Sequence, residues 1–539
     1  MTRTLLIGLD GATFTILDPL MNGGVMPCLA RLVKEGVRAE LRSTPNPVTP
    51  PAWTTVMTGR SPGQHGIFDF IRAENVIENH VVFRLTNGLD IRCETIWSIV
   101  GRNGKTSGTL NFPNAYQVPS FNGYLVPGFV TSRFLRTSTH PRSFWDRIKQ
   151  LPDFDVKDAA WDLDEGRKPL GRGLEDVKDF MEWIDYLKRK ERGWCAVTKT
   201  LLTETPCDLV AVIFEGVDRL QHQAWNFLDP ACEKKLLSDV ERRLKDNSID
   251  YFRQLDGMIN ELVQAAGSDA RTLIVSDHGF GPTSEVFYAN VWLEKLGYLT
   301  WKASADSDSD GMLTAHNMRD HFATIDWSKT IAYARTTSAN GIYIRVATKP
   351  GQVGVNPKEY SSVRSKIASE LLAYRDPATN TPVVTGVMTR EQAFPGQAME
   401  DAPDLTVTLR DSGFISILRS PHVVKARPDV KGTHRPEGVL IAHGLGFRRG
   451  TTVDMQSILD VAPTCLHSLD IPIPSDLEGR VMTDLYDPAF LRAQPVRTGP
   501  QTVDPKCAAT DATLSESQGL DAESEATVLE RLKALGYME

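Results

Sequence analysis

TLLIGLDG, running from Thr4 to Gly11, is an almost wholly apolar stretch that stops abruptly on Asp10 and a glycine. Nothing alternates along it, so both of its faces are to be buried. That is the mark of a central strand in a parallel sheet covered by helices. Three later stretches share the pattern: DLVAVIFEGVD (Asp208–Asp218), RTLIVSDHGF (Arg271–Phe280) and GVLIAHG (Gly438–Gly444). Helical spacing lies between them, in PCLARLVKEGV (Pro27–Val37), in YFRQLDGMINELVQAAG (Tyr251–Gly267) with its closing glycine, and in SILDVAPTCLHSLDI (Ser457–Ile471) on either side of Pro463. The alternation predicts an α/β fold, a doubly wound and mostly parallel sheet flanked by helices.

The core strands are not contiguous in sequence. Between Gly297 and Gly432 the chain has its own character: an exposed loop at SADSDSDG (Ser304–Gly311), two strands within TIAYARTTSANGIYIRV (Thr330–Val346) and a helix at KEYSSVRSKIASELLAY (Lys358–Tyr374). The expected organisation is a discontinuous core over 1–300 and 432–492, with a Trp-rich, partly helical excursion at 115–205 and a smaller α+β cap inserted at 301–431. From 493 to 539 the chain turns polar and reads as a flexible linker, followed by a short amphipathic helix over Ala526–Leu535 that could recruit a partner.

Composition narrows the function classes. A chain of 539 residues with 41% apolar and 24% charged residues is that of a large globular protein. A net charge of −8 speaks against a nucleic-acid polymer as partner, yet leaves room for a small phosphorylated substrate. The seven cysteines are scattered without a CxxC pair, which fits a reducing compartment. MTRTLLIGLDGATF enters a strand at once, without the regions of a signal peptide, and no apolar run approaches the ~18 residues of a membrane span. The expected location is cytoplasmic.

The predicted strand ends carry metal-ligand residue types. The first delivers Asp10; the second delivers Asp218, with His222 four residues on; the third delivers Asp277 and His278; His434 comes just before the fourth. In open α/β sheets ligands bind beyond the carboxyl ends of the strands. Singly, each has a structural reading. Asp10 before Gly11 suits a turn, Asp218 and His222 could be a local helical pair, and a lone loop histidine is common. The Asp277–His278 pair resists that reading, because strand neighbours point to opposite faces and can serve one site only beyond the strand's end. Jointly, three carboxylates and three histidines without a cysteine point to two divalent cations, Zn²⁺ first, with Mn²⁺ or Fe²⁺ as alternatives. Such a pair suits phosphoryl transfer.

With LDGA, VTPPAWTTVMTGRSPGQHGI, DRLQH, SDHGF and GTHRPEG in that order, the chain resembles the alkaline phosphatase superfamily, and within it the type I phosphodiesterase/nucleotide pyrophosphatase family. DVAPTCLHSLDIPIPSDLEGRVM (Asp460–Met482) resembles the family's C-terminal core. The resemblance implies a hydrolase of phosphoric esters, with Asp10, Asp277, His278 and the Thr49 hydroxyl on one metal and Asp218, His222 and His434 on the other. It also implies that Thr49 attacks phosphorus in line, giving a phosphothreonyl enzyme that water then hydrolyses. Thr49 before Pro50 and Pro51 reads as a helix N-cap, with open first-turn amides for a phosphoryl oxygen. His65 is expected to be structural, and His443 structural first, with a place near the phosphate as its alternative. The family's asparagine three residues after the nucleophile is replaced here by Ala52. The C/S-x-P/A-x-R signature of sulfatases is absent at Cys28, as is the serine motif of cofactor-independent phosphoglycerate mutases. A phosphodiesterase or pyrophosphatase is therefore expected first, a phosphomonoesterase or phosphomutase second, and a silent binding protein last.

Overall fold

The computed structural model describes residues 3–77, 80–115, 122–161, 177–232, 237–302 and 321–504. The Ser304–Gly311 loop and the C-terminal helix at Ala526–Leu535 lie outside the described residues. Along the chain the strands are β1 (Thr4–Leu9), β2 (Val37–Arg42), β3 (Ile71–Ile77), β4 (His80–Leu85), β5 (Ser107–Leu110), β6 (Gly123–Val126), β7 (Leu209–Phe214), β8 (Arg271–Val275) and β9 (Gly279–Tyr288). They continue as β10 (Ala332–Ala334), β11 (Gly341–Ile344), β12 (Val384–Thr389), β13 (Leu405–Leu409), β14 (Ile415–Ser416), β15 (Val424–Arg435), β16 (Glu437–Gly444), β17 (Thr451–Thr452) and β18 (Gln456–Ser457).

The main sheet runs β17-β2-β16-β8-β1-β7-β5-β6, with β18 also on β2. β1 lies between β7 and β8, parallel to both, and every one of its residues is buried. That is what an unbroken apolar run requires when helices cover both faces. β16 departs from the expected direction. It is central and apolar, but it pairs antiparallel with β2 and with β8. Its apolar run follows from burial on two faces, which is the same whichever way a strand points.

Helices α1 (Phe14–Asn22), α2 (Pro27–Glu35), α4 (Val177–Thr203), α5 (Gly216–Leu228) and α6 (Asp239–Ala266) contribute to an apolar core on one face of the sheet. Between them in sequence, α3 (Thr49–Thr58) packs on the other face, together with α8 (Val461–Ser468). In α8, Pro463 falls in the first turn, where a missing N–H costs nothing, so the helix is continuous across it. A further antiparallel sheet, β10-β11-β13-β12, packs with α7 (Tyr360–Ala373) around its own apolar cluster, which also takes in Val48, Phe70 and Trp161. Residues 493–504, read from sequence as the start of a linker, are bonded to the core. The Ile473 amide donates to Arg497 O at 2.7 Å and the Val503 amide to Glu94 Oε2 at 3.0 Å.

Candidate metal and phosphoester site

The predicted residues converge at one end of the sheet, beyond the carboxyl ends of β1, β7 and β8. Asp10 follows β1 directly. Asp218 and His222 lie on α5, one turn apart, just past β7. β8 ends at Val275, so Asp277 and His278 fall in the break before Gly279 opens β9. His434 sits on β15, in register with Phe280 of β9.

These side chains form two buried groups, Asp10 with Asp277 and His278, and Asp218 with His222 and His434. Within each group the ligand atoms lie within 4.8 Å of one another. The groups adjoin: His278 and His434 stack with ring centroids 3.6 Å apart, and His278 Nε2 is 3.9 Å from Asp218 Oδ1. The Thr49 hydroxyl lies 3.4 Å from His278 Nε2.

Hydrogen bonds fix the histidine tautomers. His222 Nδ1 bonds to Gly432 O at 3.0 Å, His278 Nδ1 to Gly279 O at 3.1 Å and His434 Nδ1 to Pro47 O at 2.6 Å. A carbonyl only accepts, so each Nδ1 carries the proton and each Nε2 presents a lone pair inward. Burial supports neutrality, pushing His222 and His434 down to about 3 and His278 well below its ordinary value. His222 Nε2 and His434 Nε2 then face each other at 3.1 Å with no proton between them. Asp10 Oδ1, Asp218 Oδ1 and Asp277 Oδ2 are buried without a hydrogen-bond partner. Burial raises all three carboxyls, Asp10 and Asp277 strongly, and Asp277 and Asp218 add further to the shift at Asp10. Inward lone pairs and orphaned carboxylate oxygens are the donor set that hard or borderline dications take, so the residues fit a metal centre.

The surroundings hold this set rigidly. Gly11 adopts φ +67, and its amide donates to Asp277 Oδ1 at 3.1 Å; a Cβ there would lie 2.9 Å from the Phe280 ring. Gln221 Nε2 donates to Gly11 O at 2.7 Å and Ser43 Oγ to Asp277 O at 2.5 Å. Phe280 packs against His222 and His434, with centroids 4.7 and 5.2 Å apart, and walls off one side of the site. Behind Asp218, a buried network joins α4 to the turn that starts α5. Glu215 pairs with Lys190 and with Arg219 Nη2 at 2.8 Å, and accepts from Trp161 Nε1 at 3.2 Å. Gln221 and Phe280 lie within DRLQH and SDHGF but the motifs assign them no role, and Glu215 and Lys190 lie outside the motifs. Only the position of Glu215, directly after a buried strand, could have pointed to it.

Two expectations about α3 need correction. Val48 is its N-cap and Thr49 its first helical residue, because Val48 keeps extended backbone angles of φ −119 and ψ 141. The open first turn is also largely closed. Pro50 and Pro51 have no N–H, the Ala52 amide donates to Val48 O at 3.0 Å and the Val48 amide to Asn46 O at 2.9 Å. At most the Thr49 amide remains for a phosphoryl oxygen. Ala52 itself is fully buried in the apolar cluster under the sheet.

His65 is a brace. Its Nδ1 accepts from the Ile67 amide at 3.1 Å and its Nε2 lies 3.1 Å from Thr55 Oγ1. His443 lies at the opposite end of the sheet, in register with Thr272 and 3.6 Å from Glu35. That position rules out a phosphate-proximal role. Among the described residues no helix is long and apolar enough to cross a membrane.

No curated protein matches the sequence significantly. Murine ectonucleotide pyrophosphatase/phosphodiesterase 5, in an inactive form in complex with AMP, shares the fold with a TM-score of 0.51 at 15% identity, over 90% of this chain and 100% of that one. A second structure of the murine protein gives 0.51 at 16% identity over the same shares. Phosphonoacetate hydrolase from Sinorhizobium meliloti, in complex with phosphonoformate, gives 0.49 at 14% identity over 87% of this chain and 96% of that one. The family described as type I phosphodiesterase / nucleotide pyrophosphatase matches residues 4–436. The chain belongs to that family, within the alkaline phosphatase superfamily, and is a metal-dependent phosphoric ester hydrolase of the phosphodiesterase/pyrophosphatase type.

Proposed function

We propose that the chain hydrolyses small phosphodiesters or nucleotide-like pyrophosphates through Thr49 as nucleophile. Asp10, Asp277, His278 and the Thr49 hydroxyl would hold one dication, and Asp218, His222 and His434 a second, Zn²⁺ before Mn²⁺ or Fe²⁺. The observation that carries this reading is the pair of adjoining buried groups, whose three neutral histidines all direct Nε2 lone pairs inward. Bound there, two dications would acidify the Thr49 hydroxyl and stabilise the departing oxygen.

The chain's own part follows from its geometry. Thr49 Oγ1 forms a bond to phosphorus as the bond to the leaving oxygen breaks, and its proton passes to solvent. Water then cleaves the Oγ1–phosphorus bond and regenerates the hydroxyl. Phe280 and the packed first turn of α3 keep bulk water from one side of the site. Residues 301–431 are assigned as a cap that selects the leaving group. The six described cysteines are free thiols, which supports a reducing, cytoplasmic location.

The test compares bis-p-nitrophenyl phosphate with p-nitrophenyl phosphate, then a nucleotide series beginning with AMP-bearing diesters, alongside metal analysis of the purified protein. Two metal equivalents and preference for the diester are expected. Thr49→Ala should still take up metal on the remaining carboxylate and histidine ligands, with weaker hold on the Asp10, Asp277 and His278 group, and lose turnover by several orders of magnitude; full turnover in the metal-loaded variant would sink the nucleophile assignment. Preference for the monoester would move the reading to a phosphomonoesterase.

A further inference from the structure

A cavity of about 1040 Å³ opens between the four-stranded antiparallel sheet and the start of the β3–β4 hairpin. Neither Thr49 nor any residue of the two ligand groups lines it. Its wall carries five cations, Arg72, Arg335, Arg345, Lys349 and Arg390. Of its four carboxylates, three are engaged. Asp69 accepts from Thr336 Oγ1 at 2.5 Å and Ser338 Oγ at 2.6 Å. Asp401 pairs with Arg72 at 3.2 Å and with Arg92. Asp404 accepts from the Ile344 amide at 2.6 Å and from the Tyr360 hydroxyl, and lies 3.6 Å from Arg390 Nη1. The fourth, Glu400, is exposed.

Two of the arginines are held differently. Arg335 and Arg345 make no ion pair among the described residues. The Arg335 guanidinium lies 3.6 Å from the centroid of the Tyr343 ring, donates to Tyr333 Oη at 3.3 Å, and keeps a buried Nε–H without a partner. Arg345 sits 5.3 Å from the Trp327 ring centroid and donates through Nη1 to Trp327 O at 2.5 Å and Thr330 O at 2.9 Å. Asp69 and Asp404 in the same wall act on Arg335 from beyond ion-pair distance, which leaves its guanidinium able to take a further anion. Ring faces hold the planar fork in place, and its N–H edge is then suited to a tetrahedral or planar oxyanion.

We infer that this cavity binds the phosphate of a small organic phosphate, met by the unpaired guanidinium groups that its wall carries, Arg335 and Arg345. The phosphate can belong to the departing half of the substrate, which rests on the hydrolase reading above, or to a free effector, which does not. A chain of hydrogen bonds leads from the cavity wall toward Thr49. Asp69, in the cavity wall, holds the loop of Thr336 and Ser338, and Ser338 O accepts from Asn46 Nδ2 at 2.9 Å, three residues ahead of Thr49.

The experiment titrates ribose 5-phosphate, with ribose as the neutral control, into full-length Thr49→Ala protein stripped of metal, followed by calorimetry. Stripping removes the metal site as a competing anion trap. Saturable binding of the phosphate but not of ribose is expected, weakened about tenfold or more by Arg335→Gln and by Arg345→Gln. Thermal unfolding checks each variant. Arg345 is the less buried of the two, so Arg345→Gln carries the test if Arg335→Gln does not fold. Absence of saturable binding, or binding that neither substitution weakens, overturns the site. With metal-loaded wild type, a changed rate on bis-p-nitrophenyl phosphate when ribose 5-phosphate is added identifies an effector. A KM raised by Arg345→Gln only for diesters with a phosphorylated leaving group identifies the substrate. If no ester is turned over, the hydrolase reading fails while the calorimetric result still decides the site.

Discussion

Two buried glutamates stand side by side behind Asp218, and they should respond in opposite ways to the same substitution. Glu215 is charged: Arg219, Lys190 and Trp161 hold its carboxyl below the ordinary value against the cost of burial. Glu191 is protonated: burial, then the charge of Glu215, raise it from 4.5 to about 8. Glu215→Gln leaves Lys190, fully buried, and Arg219 facing a neutral amide. Removing one partner from a buried pair costs about 3–5 kcal/mol. Glu191→Gln replaces a carboxylic acid by its isostere and keeps Oε1 as acceptor for the Gly216 amide, now at 2.6 Å, so its cost below pH 4.5 should be under about 1 kcal/mol. Near neutral pH, where the wild-type glutamate has lost part of its contribution, the substitution should cost nothing or stabilise. The pH dependence follows from the raised value. Between 4.5 and about 8 the folded state keeps a proton that the unfolded chain has lost. Stability from Glu191 is therefore fully present below 4.5, declines as pH rises, and is gone above about 8. Glu191→Gln should flatten that decline. Urea unfolding followed by tryptophan fluorescence, run across this pH range, measures both. Adding Lys190→Met to Glu215→Gln should recover part of the loss, since the stranded cation goes with it. Equal costs for the two glutamine variants at neutral pH, or an unchanged pH slope in Glu191→Gln, would refute the assignment of charge.

Further outcomes follow from single contacts. Gly8→Ala puts a Cβ 2.4 Å from Trp53 Cη2 and 2.9 Å from Ile213 Cγ1 in the centre of β1; a loss of about 1–3 kcal/mol in chemical denaturation is expected. Ala52→Asn, which restores the residue of the resembled family, buries an amide in an apolar cluster and should cost about 1–3 kcal/mol without raising activity. Metal uptake near neutral pH should release protons, seen as a dependence of the calorimetric heat on buffer ionisation enthalpy. The source is the raised Asp10 and Asp277 carboxyls, since the histidines are already neutral. Chelation should lower the unfolding temperature, and added Zn²⁺ should restore it.

The strands and the carboxylates of the candidate ligand groups were legible because each buried run and its terminal carboxylate are one stretch of chain. TLLIGL and Asp10, or RTLIV and Asp277, are read together. What was not legible depends on pairing between distant segments. The direction of β16 is invisible in GVLIAHG, since burial of both faces gives the same composition for either sense. His434 is readable from the sequence as a candidate ligand, but its route into the site is not: it gets there through the register of β15 on β9. Lys190 and Glu191 read as two ordinary charges in the long helix α4, and only the packing of α4 behind β7 and α5 buries them. The arginine-lined cavity draws on segments from Gly66 to Asp404 and has no local signature at all.

The choice among the four threonines of α3 rests on a distinction that sequence could draw only by position. Thr54, Thr55 and Thr58 donate their hydroxyl protons back to the carbonyls of Pro50, Pro51 and Thr54, at 2.7, 2.9 and 2.7 Å. Such back-bonds satisfy a buried hydroxyl inside a helix and withdraw it from chemistry. Thr49 is the first helical residue, so no helical carbonyl lies four positions behind it. Its hydroxyl is directed instead to His278, within the ligand groups. The two prolines reinforce this. They fix the backbone of the first turn and supply carbonyls for Thr54 and Thr55, while leaving that turn almost without N–H groups. On the proposed reading, charge developing on a phosphoryl oxygen at Thr49 would have little helix-terminal amide to meet it, and Ala52 offers no side-chain donor in its place. The electrostatic demand falls on the two ligand groups, which is why loss of metal should cost this enzyme more than loss of any single side-chain donor around Thr49.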